Sequence, residues 1–315
     1  MNISAPARID LAGGTLDVPP LCFLIRHAAT LNIAVNRRVS LSITDARGKL
    51  NRAGDITDLA AWPLYNEALT YFGQDTDQLG FQVTGNIPPA SGLGGSSSLL
   101  VALVRLLNES LGNRPEEKVL LDQVTVLEHR LLGKPAGTQD GIAAIYGGMN
   151  WIHYHRGYPV VENVAVPAFL TKNPLLLVYS DQQHHSGINN WSVVSRACEG
   201  DPETLRVLNA LADNAHAMKE SLEASDERGF FETVRTESRL RRDLCPDILN
   251  PAMAKFAESV GEGVACKACG AGGGGAMWVY APGLRLADVA DVASRNALQA
   301  WEVKIDFNGV GEVSL

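Results

Sequence analysis

The sequence predicts an α+β protein of two domains. Strand-like and helix-like runs are mixed along the 315 residues without regular alternation, which argues against a doubly wound parallel sheet. The length suits roughly two domains. Two glycine loops, Gly92 to Gly95 and Gly270 to Gly275, each follow a strand-like run, one in each half of the chain.

Taken in order, Ile3 to Leu11 reads as a strand that ends in a turn at Gly13-Gly14. After Pro19-Pro20, the alternating runs Ala29 to Val35 and Val39 to Ile43 read as two more strands. Pro63 opens a helix that Gly73 stops. Phe81 to Thr84 is a strand, followed by Gly85-Asn86-Ile87-Pro88-Pro89-Ala90-Ser91-Gly92-Leu93-Gly94-Gly95-Ser96-Ser97-Ser98. The run from Leu99 to Leu107 is apolar nearly all round and predicts a buried helix with a serine N-cap. Glu116 to Leu132 is an amphipathic helix, Gly137 to Gly148 is rich in Gly and Ala, and Met149 to His155 is a strand. Alternating prolines and short apolar runs between Pro159 and Pro174 mark a boundary, giving domains 1–165 and 166–315. Beyond it lie a strand to Tyr179, helices Leu205 to Ala224 and Phe230 to Leu244, and a strand Val264 to Ala268. The strand Met277 to Tyr280, a helix Ala287 to Asn296 and a strand Trp301 to Phe307 close the chain. The many charges of Phe230 to Leu244 read as a solvated face, and Lys267 as a solvated strand residue.

A chain that is 46% hydrophobic and 20% charged has the composition of a soluble globular protein. Its net charge of −8 argues against nucleic-acid or anionic-membrane binding. The N-terminus lacks the pattern of a signal peptide, and no apolar run reaches the ~20 residues that span a bilayer. Five scattered cysteines fit reduced thiols and a cytoplasmic location. Cys266-Lys267-Ala268-Cys269 lacks the second pair that a zinc ribbon needs.

Strand, glycine loop and helix start, in that order, point backbone N–H groups at a phosphate. The loop at Gly92 is neither of the two common forms. No lysine stands beside Ser96 to Ser98 as a P-loop requires, and Ser97 occupies the last glycine place of a dinucleotide fingerprint.

Two further stretches complete the pattern: Pro6-Ala7-Arg8-Ile9-Asp10-Leu11-Ala12-Gly13-Gly14-Thr15-Leu16-Asp17 and Lys267-Ala268-Cys269-Gly270-Ala271-Gly272-Gly273-Gly274-Gly275. With Pro89 to Ser97 they resemble, in order and spacing, the three signatures of the GHMP kinase superfamily. The heptose and fucose kinases are the branch most similar. The resemblance implies a ribosomal-protein-S5-like first domain, a ferredoxin-like second domain, and transfer of the γ-phosphoryl group of ATP to a hydroxyl of a sugar or sugar phosphate. It implies Mg²⁺ with ATP, a monomer or homodimer, and no nucleic-acid or membrane partner.

The resemblance also assigns residues. Asp140 is the general base and Arg8 its basic neighbour. Pro89, Ser91, Gly92, Leu93, Gly94, Gly95, Ser96 and Ser97 hold the nucleotide, with Ser96 and Glu128 on the metal. Thr15, Asp17, Gly137, Gly272 and Gly273 face the acceptor, and His185 is a further candidate read from its own loop after a buried strand. The chemistry suits the residue types, since a divalent ion offsets charge on the β- and γ-phosphates and a carboxylate accepts the hydroxyl proton. No arginine lies between Lys172 and Arg196, which leaves open an unphosphorylated sugar held through His184, His185 and Ser186. A mevalonate or phosphomevalonate kinase is the alternative enzyme, although acidic acceptors want more cations than Arg8. A non-catalytic regulator that binds ATP or sugar is the alternative from another class.

Overall fold

The computed structural model describes residues 1–44, 49–52, 55–58, 63–75, 79–172, 175–180, 187–273 and 275–313. The first half runs β1 (Asn2–Ala12), α1 (Leu21–Leu24), β2 (Ala29–Thr44), β3 (Lys49–Arg52), β4 (Asp55–Asp58), α2 (Pro63–Tyr71), β5 (Gly80–Gly85), α3 (Gly95–Ser110), α4 (Glu117–Leu132), α5 (Gln139–Tyr146), β6 (Met149–His155) and β7 (Tyr158–Val164). The second half runs α6 (Ala168–Lys172), β8 (Leu175–Ser180), α7 (Gly187–Cys198), α8 (Pro202–Glu223), α9 (Glu227–Leu244), α10 (Pro251–Ser259), β9 (Ala265–Ala268), β10 (Gly275–Tyr280), α11 (Leu286–Arg295), β11 (Gln299–Val303) and β12 (Gly311–Glu312).

Two sheets result. An eight-stranded sheet has the order β12-β1-β2-β5-β3-β4, with β6 and β7 branching from β2. A four-stranded sheet has the order β11-β8-β10-β9. The two strands expected between Ala29 and Ile43 are one long strand. It pairs with β1 over Leu31–Val35 and Arg38–Ser42, with β6 over Ala29–Ile33 and with β5 over Val39–Thr44. Asn36 and Arg37 interrupt the alternation because the register with β1 jumps there, Pro6 facing Arg38 and Ala7 facing Val35. The chain end returns to the first sheet, where β12 pairs β1 and Ile305 bridges Val35.

Three apolar layers hold the sheets. Leu100 to Leu107, Leu120, Val124 and Leu127 cover one face of the first sheet through α3 and α4. On its other face Ile9, Leu11, Leu31 and Trp151 meet Leu177, Trp278, Tyr280 and Phe230. That core joins the two sheets, and α10 and α11 cover the far side of the second with Met253, Phe256 and Val289.

The joint also carries charge. Lys267, expected to be solvated, is 1% exposed, with Nζ 2.6 Å from Asp10 Oδ2 and 2.7 Å from the Asp10 carbonyl. Asp10 Oδ1 accepts in turn from the Gly270 N–H at 3.0 Å. Removing one partner leaves a buried charge without compensation. Lys267→Ala is therefore expected to lower the unfolding free energy by about 3–5 kcal/mol, as measured by urea denaturation, and a loss below about 1 kcal/mol would contradict the pairing.

Candidate active site

A cleft of about 570 Å³ opens where the loops after β1 and β5, the start of α5 and the second glycine loop meet. Arg8 lines the cleft from the part of β1 that pairs β2 on one edge and meets the Gly92 loop on the other, so its side chain is buried with the strand. The Arg8 guanidinium reaches two elements. Nε and Nη2 lie 2.8 and 2.6 Å from Asp140 Oδ1, and Nη1 donates to the Gly92 carbonyl at 2.5 Å. Its backbone N–H donates to Leu93 O at 3.0 Å. Burial opposes the charge on Arg8, but Asp140 and Asp10 outweigh it and raise its pKa above the ordinary value.

The loop from Pro88 to Gly94 leads directly into α3. Gly94 precedes the helix at φ 74° and no side chain caps it, so the expected serine N-cap is not formed; the serines lie inside the first turn. The first N–H groups of α3 therefore have no intrahelical acceptor, and the helix dipole adds a positive end. Ser98 shares its hydroxyl proton between Pro6 O and Gly94 O. Gly92 has φ 74°, and a Cβ there would overlap the Cys269 carbonyl, so the two glycine loops are in direct backbone contact. Ala276 N–H donates to Ser91 O at 2.8 Å and reinforces that contact.

Four carboxylates line the cleft: Asp10, which is paired with Lys267, and Asp17, Glu128 and Asp140. Glu128 projects from the fourth turn of α4, where Ser97 Oγ donates to Oε1. Burial pushes Glu128 up to about 7, the Ser97 hydroxyl opposing it and Asp140 and Asp17 adding to it. Asp17 accepts from Gln139 N at 3.2 Å and Gln139 Nε2 at 3.3 Å. Burial and Asp140 push Asp17 up to about 6. A side chain at Gly137 would collide with the Asp17 carboxylate, so glycine is required there.

Arg8, Thr15, Asp17, Pro89, Ser91, Gly92, Gly95, Ser96, Ser97, Glu128, Gly137, Asp140 and Gly272 thus come together on one cleft. Leu93, Gly94 and Gly273 are not on its surface: Leu93 is fully buried in the core between the sheets, and Gly273 N–H donates to Ile248 O. Ser96 is exposed, and the serine in contact with Glu128 is Ser97. His184, His185, Ser186 and Gly274 lie outside the described residues.

The helix expected to present a solvated charged face contributes buried groups. Arg241 Nη1 donates to Gly14 O and Thr15 Oγ1, both at 2.9 Å, and Nη2 donates to Gly270 O at 2.6 Å. Glu237, fully buried, accepts from Gly13 N and Asn214 Nδ2 at 3.0 Å each. The signal was in the spacing: Phe230, Val234, Glu237, Arg241 and Leu244 recur as one helical stripe, so the two charges fall on the apolar face. Lys134 also lines the cleft, so Arg8 is not its lone cation. Burial alone would raise Asp10, yet Lys267, Arg8 and Arg241 hold its carboxyl below the usual carboxylate range.

Residues 60–148 match the model of the GHMP kinases N terminal domain. The chain is 28% identical over 317 residues to the bifunctional fucokinase/GDP-fucose pyrophosphorylase of Arabidopsis thaliana, covering 89% of this chain and 30% of that protein. It is 23% identical to the D-glycero-alpha-D-manno-heptose 7-phosphate kinase of Campylobacter jejuni, over 69% of this chain and 65% of the relative. The chain thus spans less than two thirds of either relative's length. Among solved structures, Lactococcus lactis galactokinase complexed with galactose superposes with a TM-score of 0.79 at 15% identity, covering 99% of this chain and 95% of that one. Domain match, relatives and shared fold agree with the glycine loops packed around Arg8: residues 60–148 match the GHMP kinase N-terminal domain, and the chain is similar over most of its length to kinases named for sugars.

Proposed function

We propose that the chain transfers the γ-phosphoryl group of ATP to a hydroxyl of a sugar or sugar phosphate, with residues 1–165 binding the nucleotide and 166–315 closing the cleft. One observation carries the reading. The Arg8–Asp140 pair stands between the uncapped start of α3 and the buried Asp17. A phosphate and a hydroxyl-bearing molecule can therefore meet at one carboxylate. The relatives named as fucokinase and heptose 7-phosphate kinase support the same substrate class.

In this reading the first N–H groups of α3 and the Gly92 loop bind the triphosphate. Asp140 accepts the acceptor's proton as phosphoryl transfer proceeds, and Arg8, bonded to its Oδ1, holds it oriented. Asp17 accepts hydrogen bonds from other acceptor hydroxyls. The donor set fits Mg²⁺. Among the described residues no group of three or more His, Cys, Asp and Glu forms a protein cage. One carboxylate with a neighbouring hydroxyl suits an ion that completes its shell with phosphate oxygens and water. Glu128 with Ser96 or Ser97 would hold it, and the ion when bound supplies charge neutralisation at the β- and γ-phosphates.

Two outcomes are expected. Asp140→Asn should lose at least about 10³-fold in kcat while still binding ATP, in a coupled ADP-release assay over fucose, galactose, a uronic acid, heptose 7-phosphate and mevalonate. Turnover near that of the unsubstituted chain would refute Asp140 as base. Glu128 is expected to bind a divalent ion only when ionised, so Mg²⁺-dependent nucleotide affinity should rise as pH increases from 6 to 8. Without metal the sign reverses for stability. A carboxyl raised from 4.5 to about 7 contributes stability below pH 4.5 and loses it as pH rises through 7. The loss is on the order of 2 kcal/mol for this partly exposed group. Glu128→Gln should flatten both profiles, read by calorimetric titration and by urea denaturation.

A further inference from the structure

We propose that Trp191 is the stacking platform for the sugar ring of the acceptor, making α7 the acceptor-binding wall of the cleft. The inference rests on the sugar-kinase reading above and names a contact that neither the glycine motifs nor the carboxylates supply.

Trp191 is 50% exposed although it lines the cleft. The other described tryptophans are packed away. Trp151 and Trp278 are 3% and 0% exposed, and Trp301 stacks on Tyr179 with centroids 5.0 Å apart. The exposure is not slack in the helix, because α7 is anchored on its other side by Val193 and Ala197 in a core shared with Leu16, Leu21 and Leu211. A polar relay fixes it from the cleft side. Arg241 Nη1 donates to Thr15 Oγ1 at 2.9 Å, and Thr15 Oγ1 donates to Asn190 Oδ1 at 3.2 Å. Asn190 therefore turns its carbonyl to Thr15, and its amide N–H groups have no acceptor among the described residues.

The wall thus combines an apolar surface of Trp191, Val194 and Val18 with the Asn190 amide, whose N–H groups meet no acceptor among the described residues, and a carboxylate acceptor on Asp17. A pyranose has the complementary form: one face of C–H groups and a rim of hydroxyls that both donate and accept. An indole covers such a face with little loss of side-chain freedom, and the rim groups set orientation. A purine also has a flat face, but purines carry no rim of hydroxyls to meet both Asn190 and Asp17.

The test is steady-state kinetics of Trp191→Ala and Trp191→Phe with the sugar that turns over best, alongside sugar titrations followed by tryptophan emission. Trp191→Ala is expected to raise the KM for the sugar about tenfold with kcat and the KM for ATP within about twofold, and Trp191→Phe to recover most of the loss. The emission change on adding sugar should vanish in Trp191→Phe. An unchanged sugar KM in Trp191→Ala, or a raised KM for ATP in its place, overturns the proposal. Absence of turnover by the unsubstituted chain with every sugar overturns the kinase reading itself and is distinguishable from both.

Discussion

The buried guanidinium of Arg8 is the contact on which the cleft depends. It faces a crowded set of acids, and Asp17 and Glu128 are both raised by burial and by Asp140. The Arg8 cation, bonded directly to Asp140, offsets part of the negative charge that Asp17 and Glu128 face. Arg8 answers the one that faces it and leaves the other two for ligands. Its third contact, to Gly92 O, ties the carboxylate pair to the loop that starts α3. A planar fork with several donors can satisfy both partners at once, which a single ammonium point charge does less well. Its position follows from strand pairing, because Arg8 lies opposite Ala34 in the most extensive ladder of the first sheet.

A second layer of charge holds the cleft's other wall. Lys267 and Asp10 join the sheets beneath the second glycine loop, and Arg241 bonds that loop and the turn at Gly14-Thr15. These groups act on backbone carbonyls and N–H groups, so they set where the two loops meet. The close approach of Gly92 to Cys269 then requires the loops to be side-chain-free at the contact. Rigid loops at a charged cleft keep hydrogen-bond donors aimed without reorganisation during the reaction.

Much of this was legible in the chain and the rest was hidden for identifiable reasons. Strand, glycine loop and apolar helix around Gly92 follow from local pattern, while Glu128 and Asp140 were singled out only through the family resemblance. Lys267 was misread because charge alone suggests solvent, while its burial is decided by Asp10, which is 257 residues away in sequence. Arg241 and Glu237 were recoverable from their place in the stripe of α9, but the helix's many charges masked it. The helix α5 went unnoticed within a Gly- and Ala-rich stretch whose side chains carry little periodic signal. Likewise α7 carries polar residues near its start, and among the described residues Val193, Val194 and Ala197 mark its buried side.

The central claim is that phosphoryl donor and sugar hydroxyl meet at Asp140, held by Arg8. A crystal structure of the chain with a non-hydrolysable ATP analogue and its sugar acceptor tests it most directly. The account requires the reacting hydroxyl within about 3.2 Å of an Asp140 oxygen and in line with the γ-phosphate. A hydroxyl placed against Glu128 or Asp17, with Asp140 facing no acceptor atom, would contradict it.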